Sequence, residues 1–500
     1  MPDRPVTTAQ DDTGAGAGLP RSACAVRHGR AMPRGQDPVA AGLGGRFGRM
    51  FPDLPACELS DDDIDDLVTA LKGRPQPNRR ISAGYTYLGQ FIDHDITFDP
   101  LSELQRRHDP HALVNFRTPR FDLDSLYGSG PVVQPYLYDW SDTSQPGVRL
   151  LVGRNPRGRK LARTDLPRNE QDRALLGDPR NDENLIIAQL HLLFVRFHNK
   201  VVDRVSARPG AAADVLPEAQ RIVRWHYQWI VVHDFLRRIV GAPAHDLLLP
   251  RVDGGAPVAA GSPDPRRSEP IMPLEFSAAA YRFGHSMVRN GYRPKRASES
   301  FPLFRPHGEP GLQWAGSQRL PAALEIEWDL FFFETDKLHP DDKDNDSLRI
   351  DPSLAAGLFR LPPDGAELAR LNLRRSRVLG LPSGPDVARA MSIEPLTEDD
   401  LRGVTTGTLT TALPALLRRL DRLPLWVYVL TEAVVAGNDG LNLGPVGGGI
   451  VADVLVGLLE ADPSSYLRRQ ARWTPELSDR EDGDFTMLDL VRYVEDPDWL

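Results

Sequence analysis

The sequence predicts a mainly α protein: a single large domain with long irregular connections and little β structure. Three observations predict it. Several long segments repeat apolar residues at helical spacing, strand-type alternation is rare, and no internal repeat or low-complexity tract interrupts residues 45–500.

Residues 1–44 are rich in Gly, Ala, Pro and Asp and show no periodicity, which predicts a disordered tail. Order is expected from Phe47, Met50 and Phe51, the first cluster of large apolar residues, and residues 45–500 form the expected domain. A helix start follows at Ser60, whose successors Asp61, Asp62 and Asp63 suit a helix N-terminus, and the helix should fill 59–71. Residues 184–205 carry Leu185, Ala188, Leu192, Val195 and Val202 at helical spacing. Residues 218–240 give a second long helix and 387–393 a short one. Residues 425–436 and 450–459 read as buried late helices, the first opened by Pro424. The best strand candidate is 149–152, and 253–270 is a Gly/Pro/Ser/Asp loop.

Composition narrows the function classes. Of the 500 residues, 41% are hydrophobic and 26% charged, enough for a sizeable core without crosslinks. A net charge of −9 argues against nucleic acid as the main partner. Two cysteines, Cys24 and Cys57, exclude a disulfide scaffold, and there is no CxxC pair. No run approaches 18 apolar residues and the N-terminus has no apolar leader. A cytoplasmic protein without a membrane span is expected, with leaderless export left open.

Four segments carry candidate chemistry. In Gly89-Gln90-Phe91-Ile92-Asp93-His94-Asp95, two carboxylates flank a histidine, and Gln90 lies one helical turn before His94. Alone, this is equally a polar helix turn with a partly buried histidine. In residues 115–128, Thr118, Asp122 and Asp124 place hard oxygens at short intervals, a composition suited to Ca²⁺. Asx turns would explain the same residues. In residues 177–183, Arg180 and Glu183 share a face if both are helical, and a helix cap with a solvated charge pair is the plain alternative. In Tyr281-Arg282-Phe283-Gly284-His285, the histidine sits among apolar neighbours, either as a core residue or as a single ligand of haem iron.

Together and in this order, the four segments resemble the animal-type haem peroxidases of the peroxidase–cyclooxygenase superfamily, most closely its compact bacterial members. A fifth match is Leu371-Asn372-Leu373-Arg374-Arg375-Ser376-Arg377. A sixth, weaker one is the 425–433 helix with Leu443-Gly444-Pro445-Val446-Gly447-Gly448. The resemblance spans roughly residues 45–475.

The resemblance implies haem b and Ca²⁺ as cofactors. It implies reduction of hydrogen peroxide through a ferryl intermediate, with oxidation of a halide or a small organic donor. His94 is then the distal histidine, moving a proton between the peroxide oxygens. Arg180 is the distal arginine, stabilising charge on the leaving oxygen, and Gln90 fixes water or halide beside His94. His285 is the proximal iron ligand, Asn372 the partner of its other ring nitrogen, and Arg282 lies near the haem edge. Asp93 and Glu183 match the carboxylates that form ester bonds to haem methyl groups. Asn184 follows Glu183, so a methionine-derived link is excluded there. The implied calcium ligands are Asp95, Thr118, Arg120 (through its carbonyl), Asp122 and Asp124. One departure is Val378-Leu379, where the family commonly has Asp-His.

Two alternatives stand beside this reading. Fatty-acid dioxygenases of the same superfamily carry a tyrosine three residues before the proximal histidine; here Arg282 holds that position, and Tyr281, four before, should point elsewhere. A non-catalytic haem-binding protein would not require Gln90, His94 and Arg180 together. The remaining histidines, among them His191, His198, His226 and His233, read as helix-packing residues.

Overall fold

The computed structural model describes residues 45–98, 114–115, 117–154, 162, 164–208, 215–246, 271–304, 318–333, 345–361, 365–404, 406–470 and 472–496. The expected tail at 1–44 and the loop at 253–270 lie outside the described residues. The fold is mainly α, as the periodicity predicts. Its β structure is limited to short ladders: a three-stranded sheet with Gly45–Gly48 between Val114–Asn115 and Ile271–Pro273, and three two-stranded pairs. One contiguous apolar core runs from Cys57 to Val494.

The helix signals act as their chemistry demands. Helix α1 (Asp61–Ala70) starts at Ser60, whose side chain accepts from Asp63 N while Asp63 returns the bond to the Ser60 backbone, a reciprocal capping box. Helix α2 (Ala83–Ile96) carries the GQFIDHD segment. Helix α3 (Leu185–Ser206) is capped by Asn184, which accepts from Ile186 N and Ile187 N. By length and composition α3 could cross a bilayer, but it is mostly buried inside the protein. Phe91 of α2 stacks on Phe194 of α3 at 4.8 Å and meets Tyr227 edge-on at 6.0 Å. Tyr227 belongs to helix α4 (Val215–Trp229), so one aromatic cluster ties α2, α3 and α4 together. Truncating Phe91 to Ala should cost about 3–5 kcal/mol.

Three expectations need correction. The second long helix does not run unbroken through 218–240. α4 passes into a π-helical turn, Ile230–Leu236, before a last α turn, Arg237–Val240. Such an insertion leaves the apolar period almost intact and has no sequence signature. The strand at 149–152 is reduced to one bridge, Tyr138 to Leu150, and the ladder forms at Gly153–Arg154 with Thr164–Asp165. Asn199 of α3 explains the difference: its amide accepts from Leu150 N at 2.8 Å and donates to Leu150 O at 2.9 Å, taking the bonds a second strand would make. The short helix expected at 387–393 is Gly384–Ala390, started three residues earlier by the Ser383 cap.

Two further helices close the core, α5 (Leu368–Val378) and α6, the 425–436 segment, which is observed as Leu425–Ala436. Helix α7 begins at Pro445, five residues before the expected start, and ends at Ala461. Its early glycines let it approach α6: a Cβ on Gly447 would lie 2.6 Å from Val429 Cγ1. Buried Glu432 of α6 accepts from Val446 N and Gly447 N, supplying the cap that Gly444 lacks.

Candidate functional site

A cavity of about 470 Å³ lies between α2, the turn before α3, and the segment 274–288. His94 and His285 both line it, with Gln90, Asp93, Arg180, Glu183 and Arg282. The structure thus brings together seven of the residues singled out from sequence.

His94 is placed by α2 and is 4% exposed. Its Nδ1 donates to Asn181 Oδ1 at 2.7 Å, and Asn181 Nδ2 donates to His191 Nδ1 at 3.0 Å. With the Asn181 carbonyl towards His94 and its amide nitrogen towards His191, His94 is the Nδ1–H tautomer and Nε2 keeps its lone pair. Burial, helped by the Arg180 charge, pushes its pKa down to about 4. His94 is therefore a neutral base over the physiological range. Burial does the same to His191, also to about 4, so the pair carries no charge.

Arg180 lies in a 3₁₀ turn, Pro179–Asp182. Its Nη2 donates to the carbonyls of His94 at 2.9 Å and Thr97 at 2.6 Å, and to Asp178 Oδ2 at 2.7 Å. It also lies over Phe98, 4.6 Å from the ring centroid. Asp178 is fully buried; burial opposes its charge, but Arg180 and Arg117 outweigh this and hold the carboxyl far below the carboxylate range. The helix-cap alternative is half right: Asp178 does cap the turn, accepting from Arg180 N, yet Arg180 and Glu183 are not a solvated pair. Glu183 accepts from Gln90 Nε2, and Gln90 Oε1 accepts from Asn184 Nδ2 at 3.3 Å. The Gln90 amide is thus engaged by neighbours on both ends. Burial pushes Glu183 up to about 7, whereas Asp93 differs. Its burial is outweighed by Arg282, Arg180 and His94, so it stays below the usual range.

His285 ends a 3₁₀ helix, Ala280–His285, whose three residues per turn align Arg282 with it. Burial holds His285 neutral, at about 3. Asn372 Nδ2 of α5 lies 2.9 Å from Nδ1. As placed, the amide nitrogen donates to Nδ1; with the amide turned about so that its carbonyl faces the ring, Nδ1 would donate and Nε2 would offer a lone pair to the cavity. Arg282 Nε donates to Ser277 O at 2.8 Å. Tyr281, expected to point elsewhere, also borders the cavity, its hydroxyl donating to Gly89 O at 3.2 Å. Val378 and Leu379, at the departure from the family pattern, line the cavity with apolar surface.

Beside α2, Asp95, Asp122 and Asp124 bring carboxylate oxygens within 4.8 Å of one another. Leu123 between them adopts a left-handed backbone, φ 56°, uncommon for a branched side chain, and Leu123 N donates to Asp95 Oδ2 at 3.3 Å. Thr118 Oγ1 donates to Asp122 Oδ2 at 2.8 Å, and Arg120 N donates to Thr118 O at 2.7 Å, so both belong to the same turn. Asp95 Oδ1 is buried and makes no hydrogen bond among the described residues. Burial raises all three carboxyls, and repulsion within the cluster adds to it at Asp95 and at Asp124, which is pushed up to about 7. That donor set fits a divalent cation, whose charge would remove the repulsion. Arg117 joins the cluster to the cavity, pairing with Asp124 at 3.0 Å and Asp178 at 2.6 Å.

Sequence reasoning missed Asn181 and the linking role of His191. Asn181 stands in a turn without periodicity, and His191 lies on an apolar helix face, where a packing histidine is the usual reading. His198, His226 and His233 do pack between elements, bonding to Tyr127, Ile222 O and Tyr466 respectively.

Fold and cavity together define a mainly α protein with a buried, histidine-lined pocket suited to a metal-centred prosthetic group. The family model for the animal haem peroxidase matches residues 102–466, and the chain belongs to that family. The match takes in Arg180, Glu183, His285 and Asn372 and begins after His94. Thyroid peroxidase of Sus scrofa is 26% identical over 392 residues, covering 71% of this chain and 38% of the relative. Chorion peroxidase of Drosophila melanogaster is 27% identical over 281 residues, covering 52% and 31%. The chain thus spans well under half the length of these relatives. Among solved structures, peroxidase A from Dictyostelium discoideum superposes with TM-score 0.60 at 15% identity, covering 90% of this chain and 93% of that one. A fatty acid α-dioxygenase of Arabidopsis thaliana gives the same TM-score at 16% identity, covering 91% and 78%. These two share the fold.

Family membership implies a haem. The residues present fit one: His285 is neutral and lines the cavity, Gly284 beside it has no atom within 4 Å of where a Cβ would stand, and Arg282 and Arg375 line the cavity with cationic groups suited to propionates.

Proposed function

We propose that this chain is a haem peroxidase that reduces hydrogen peroxide at the expense of a halide or small organic donor. The observation that carries the reading is the His94–Asn181–His191 chain, which leaves a neutral imidazole with a free Nε2 facing the cavity that His285 also lines. Bound haem supplies the iron at which the peroxide O–O bond is cleaved.

The residues do the rest. His285 would hold the iron through Nε2, and Asn372, with its carbonyl turned to Nδ1, would accept the ring proton and raise ligand basicity. His94 Nε2 takes the proton from the nearer peroxide oxygen and returns it to the farther one. Nδ1 never gives up its proton, because Asn181 accepts from it throughout. Arg180 supplies fixed positive charge beside the departing oxygen, and Asp178 fixes that guanidinium. Asp93 and Glu183 are the carboxylates for ester bonds to the haem. Asp95, Asp122 and Asp124, with Thr118 and the Arg120 carbonyl, hold Ca²⁺.

No observation favours the dioxygenase reading. Arg282 occupies the position where those enzymes carry tyrosine, and the Tyr281 hydroxyl is engaged by the Gly89 carbonyl. The test is an absorption spectrum of haem-loaded protein before and after one equivalent of hydrogen peroxide. A Soret band that shifts with peroxide and returns with an electron donor is expected. A haem spectrum indifferent to peroxide would overturn the reading. Acid–organic extraction checks the esters: after peroxide treatment haem should remain with the protein, and full extraction would remove the covalent link.

A further inference from the structure

A second, larger concavity lies across α2 from the cavity. Its volume is about 1070 Å³ and its lining is cationic: Arg80, Arg237, Arg238 and Arg480 against Asp234 and Asp484. Both acids already have partners. Asp234 pairs with Arg238 at 2.7 Å, and Asp484 accepts from Trp229 Nε1 at 2.8 Å. Arg480 pairs with Asp482 at 3.0 Å. Arg80 and Arg237 are exposed, and neither side chain has a hydrogen-bond or ion-pair partner among the described residues. Between these cations lie apolar side chains, including Ile81, Val240, Phe333 and Leu443. Two free guanidinium groups beside apolar surface suit an anion carrying an aromatic ring.

Tyr85 borders both the haem-type cavity and this groove. It is 1% exposed, and its hydroxyl donates to Asp234, 2.9 Å from Oδ1 and 2.8 Å from Oδ2. Asp234 comes from the π-helical turn, the kind of insertion often found at functional sites. It also accepts from Met487 N at 2.8 Å, so its position is fixed from three directions. Arg238 pairs with Asp234 and lies 4.5 Å from the Tyr85 ring centroid. Burial pushes the Tyr85 phenol well above its ordinary value, so it is protonated at neutral pH and loses its proton only together with an electron.

We infer that the groove binds a small anionic aromatic reductant and that the Tyr85–Asp234 pair carries its electrons to the haem cavity. The inference rests on the peroxidase reading, which supplies the oxidant, haem oxidised by hydrogen peroxide. Tyr85 would give one electron to the oxidised haem while its phenolic proton moves along the existing hydrogen bond to Asp234, leaving a neutral tyrosyl radical. The bound donor gives one electron to that radical. Asp234 returns the proton to the phenolate oxygen, and the oxidised donor releases its own phenolic proton to solvent. Each cycle moves one electron from donor to haem and restores Tyr85 and Asp234.

The matched probes are p-hydroxyphenylacetate and p-cresol, the same phenol with and without a carboxylate. In the haem-loaded protein, Arg80→Glu with Arg237→Glu should weaken p-hydroxyphenylacetate binding, measured calorimetrically, by about tenfold or more. Its turnover at low concentration should fall in proportion, with p-cresol turnover unchanged. Tyr85→Phe should leave p-hydroxyphenylacetate affinity unchanged while turnover falls about tenfold and the tyrosyl radical seen by freeze-quench EPR after peroxide is lost. Asp234→Asn, which keeps the shape but is a far poorer proton acceptor, should lower the radical yield with the Soret band unchanged. Unaltered affinity after charge reversal, or equal loss for p-cresol, overturns the anionic site. Full radical yield and turnover in Tyr85→Phe overturn the electron route. If wild-type haem ignores peroxide, the peroxidase reading and the Tyr85 route fail together, while the binding measurement still judges the groove.

Discussion

On the His94 side of the cavity, three polar chains converge: Asn181 and His191 behind His94, Asp178 and Arg117 behind Arg180, and Glu183 and Asn184 around Gln90. On the His285 side, one amide from Asn372 meets the imidazole, and most of the remaining contact is apolar. The contrast matches the roles proposed for the two histidines. A metal ligand needs a lone pair held in place, which packing and one hydrogen bond provide. A base that moves a proton needs a fixed tautomer, a set charge state and a neighbouring cation, and each requires its own partner.

The contrast predicts failures of different kind and size. The largest belongs to His285→Ala: with no other imidazole supplied by that segment, iron ligation is lost and the Soret band shifts grossly. A wild-type spectrum in this variant would remove the assignment. His94→Ala should keep the resting spectrum and slow the reaction with peroxide by about 10²–10⁴-fold, the usual worth of a positioned acid–base group. Stopped-flow rates decide it, and an unchanged rate would sink the distal role. The wild-type rate should be flat above about pH 5 and fall as pH drops through about 4, where His94 takes up a proton.

Asn181→Ala sharpens the comparison, because it touches only the proton-moving side. Freed from its acceptor, His94 can populate either tautomer, and the peroxide rate should fall about tenfold to a hundredfold. The resting Soret band should not move, since the His285–Asn372 contact is untouched. Asn181→Asp retains an acceptor and should restore much of the rate while raising the pH at which it falls, because a carboxylate favours protonated His94. An Asn181→Ala enzyme with wild-type rate and pH profile would reduce Asn181 to a packing residue.

How much of this was legible in the sequence follows the same division. Elements written in local chemistry came through: the helix start at Ser60, the long helix over 184–205, the 425–436 helix, and the shared cavity of the residues at motif spacing around His94, Arg180 and His285. What depends on partners far away in the chain did not. The strand at 149–152 is displaced by an asparagine about 50 positions later in the chain. The π-helical turn leaves the apolar pattern of 218–240 intact, yet it delivers Asp234 to Tyr85. Asn181 bridges two histidines that lie 97 positions apart in number, His94 and His191, and a bridging amide has no period of its own. Tyr281 borders the cavity with its hydroxyl on Gly89 O, a partner 192 positions away that no local pattern announces.

The smallest expected effect concerns the tri-aspartate turn, which is joined to the His94 side through Asp95 in α2 and through the Arg117–Asp178 pair. Without a cation, Asp95, Asp122 and Asp124 hold protons in the folded state at pH values where the unfolded chain, with carboxyls near 3.8, has released them. Stability therefore falls as pH rises from about 4 towards 7, because the folded state binds more protons throughout that window. A cation needs those carboxylates ionised, so its stabilisation grows over the same window. At a hundredfold excess over Kd it contributes about 2.7 kcal/mol, a shift of only a few degrees in Tm for a chain of this size. Chelator should thus lower Tm little at pH 5 and most at pH 8, with Ca²⁺ restoring it. The same treatment should slow the peroxide reaction before it alters the Soret band, since Arg117 and Asp95 lead to Arg180 and His94. A Tm difference independent of pH would remove the cation from this turn, and a Soret change preceding the loss of rate would place its influence on the His285 side instead.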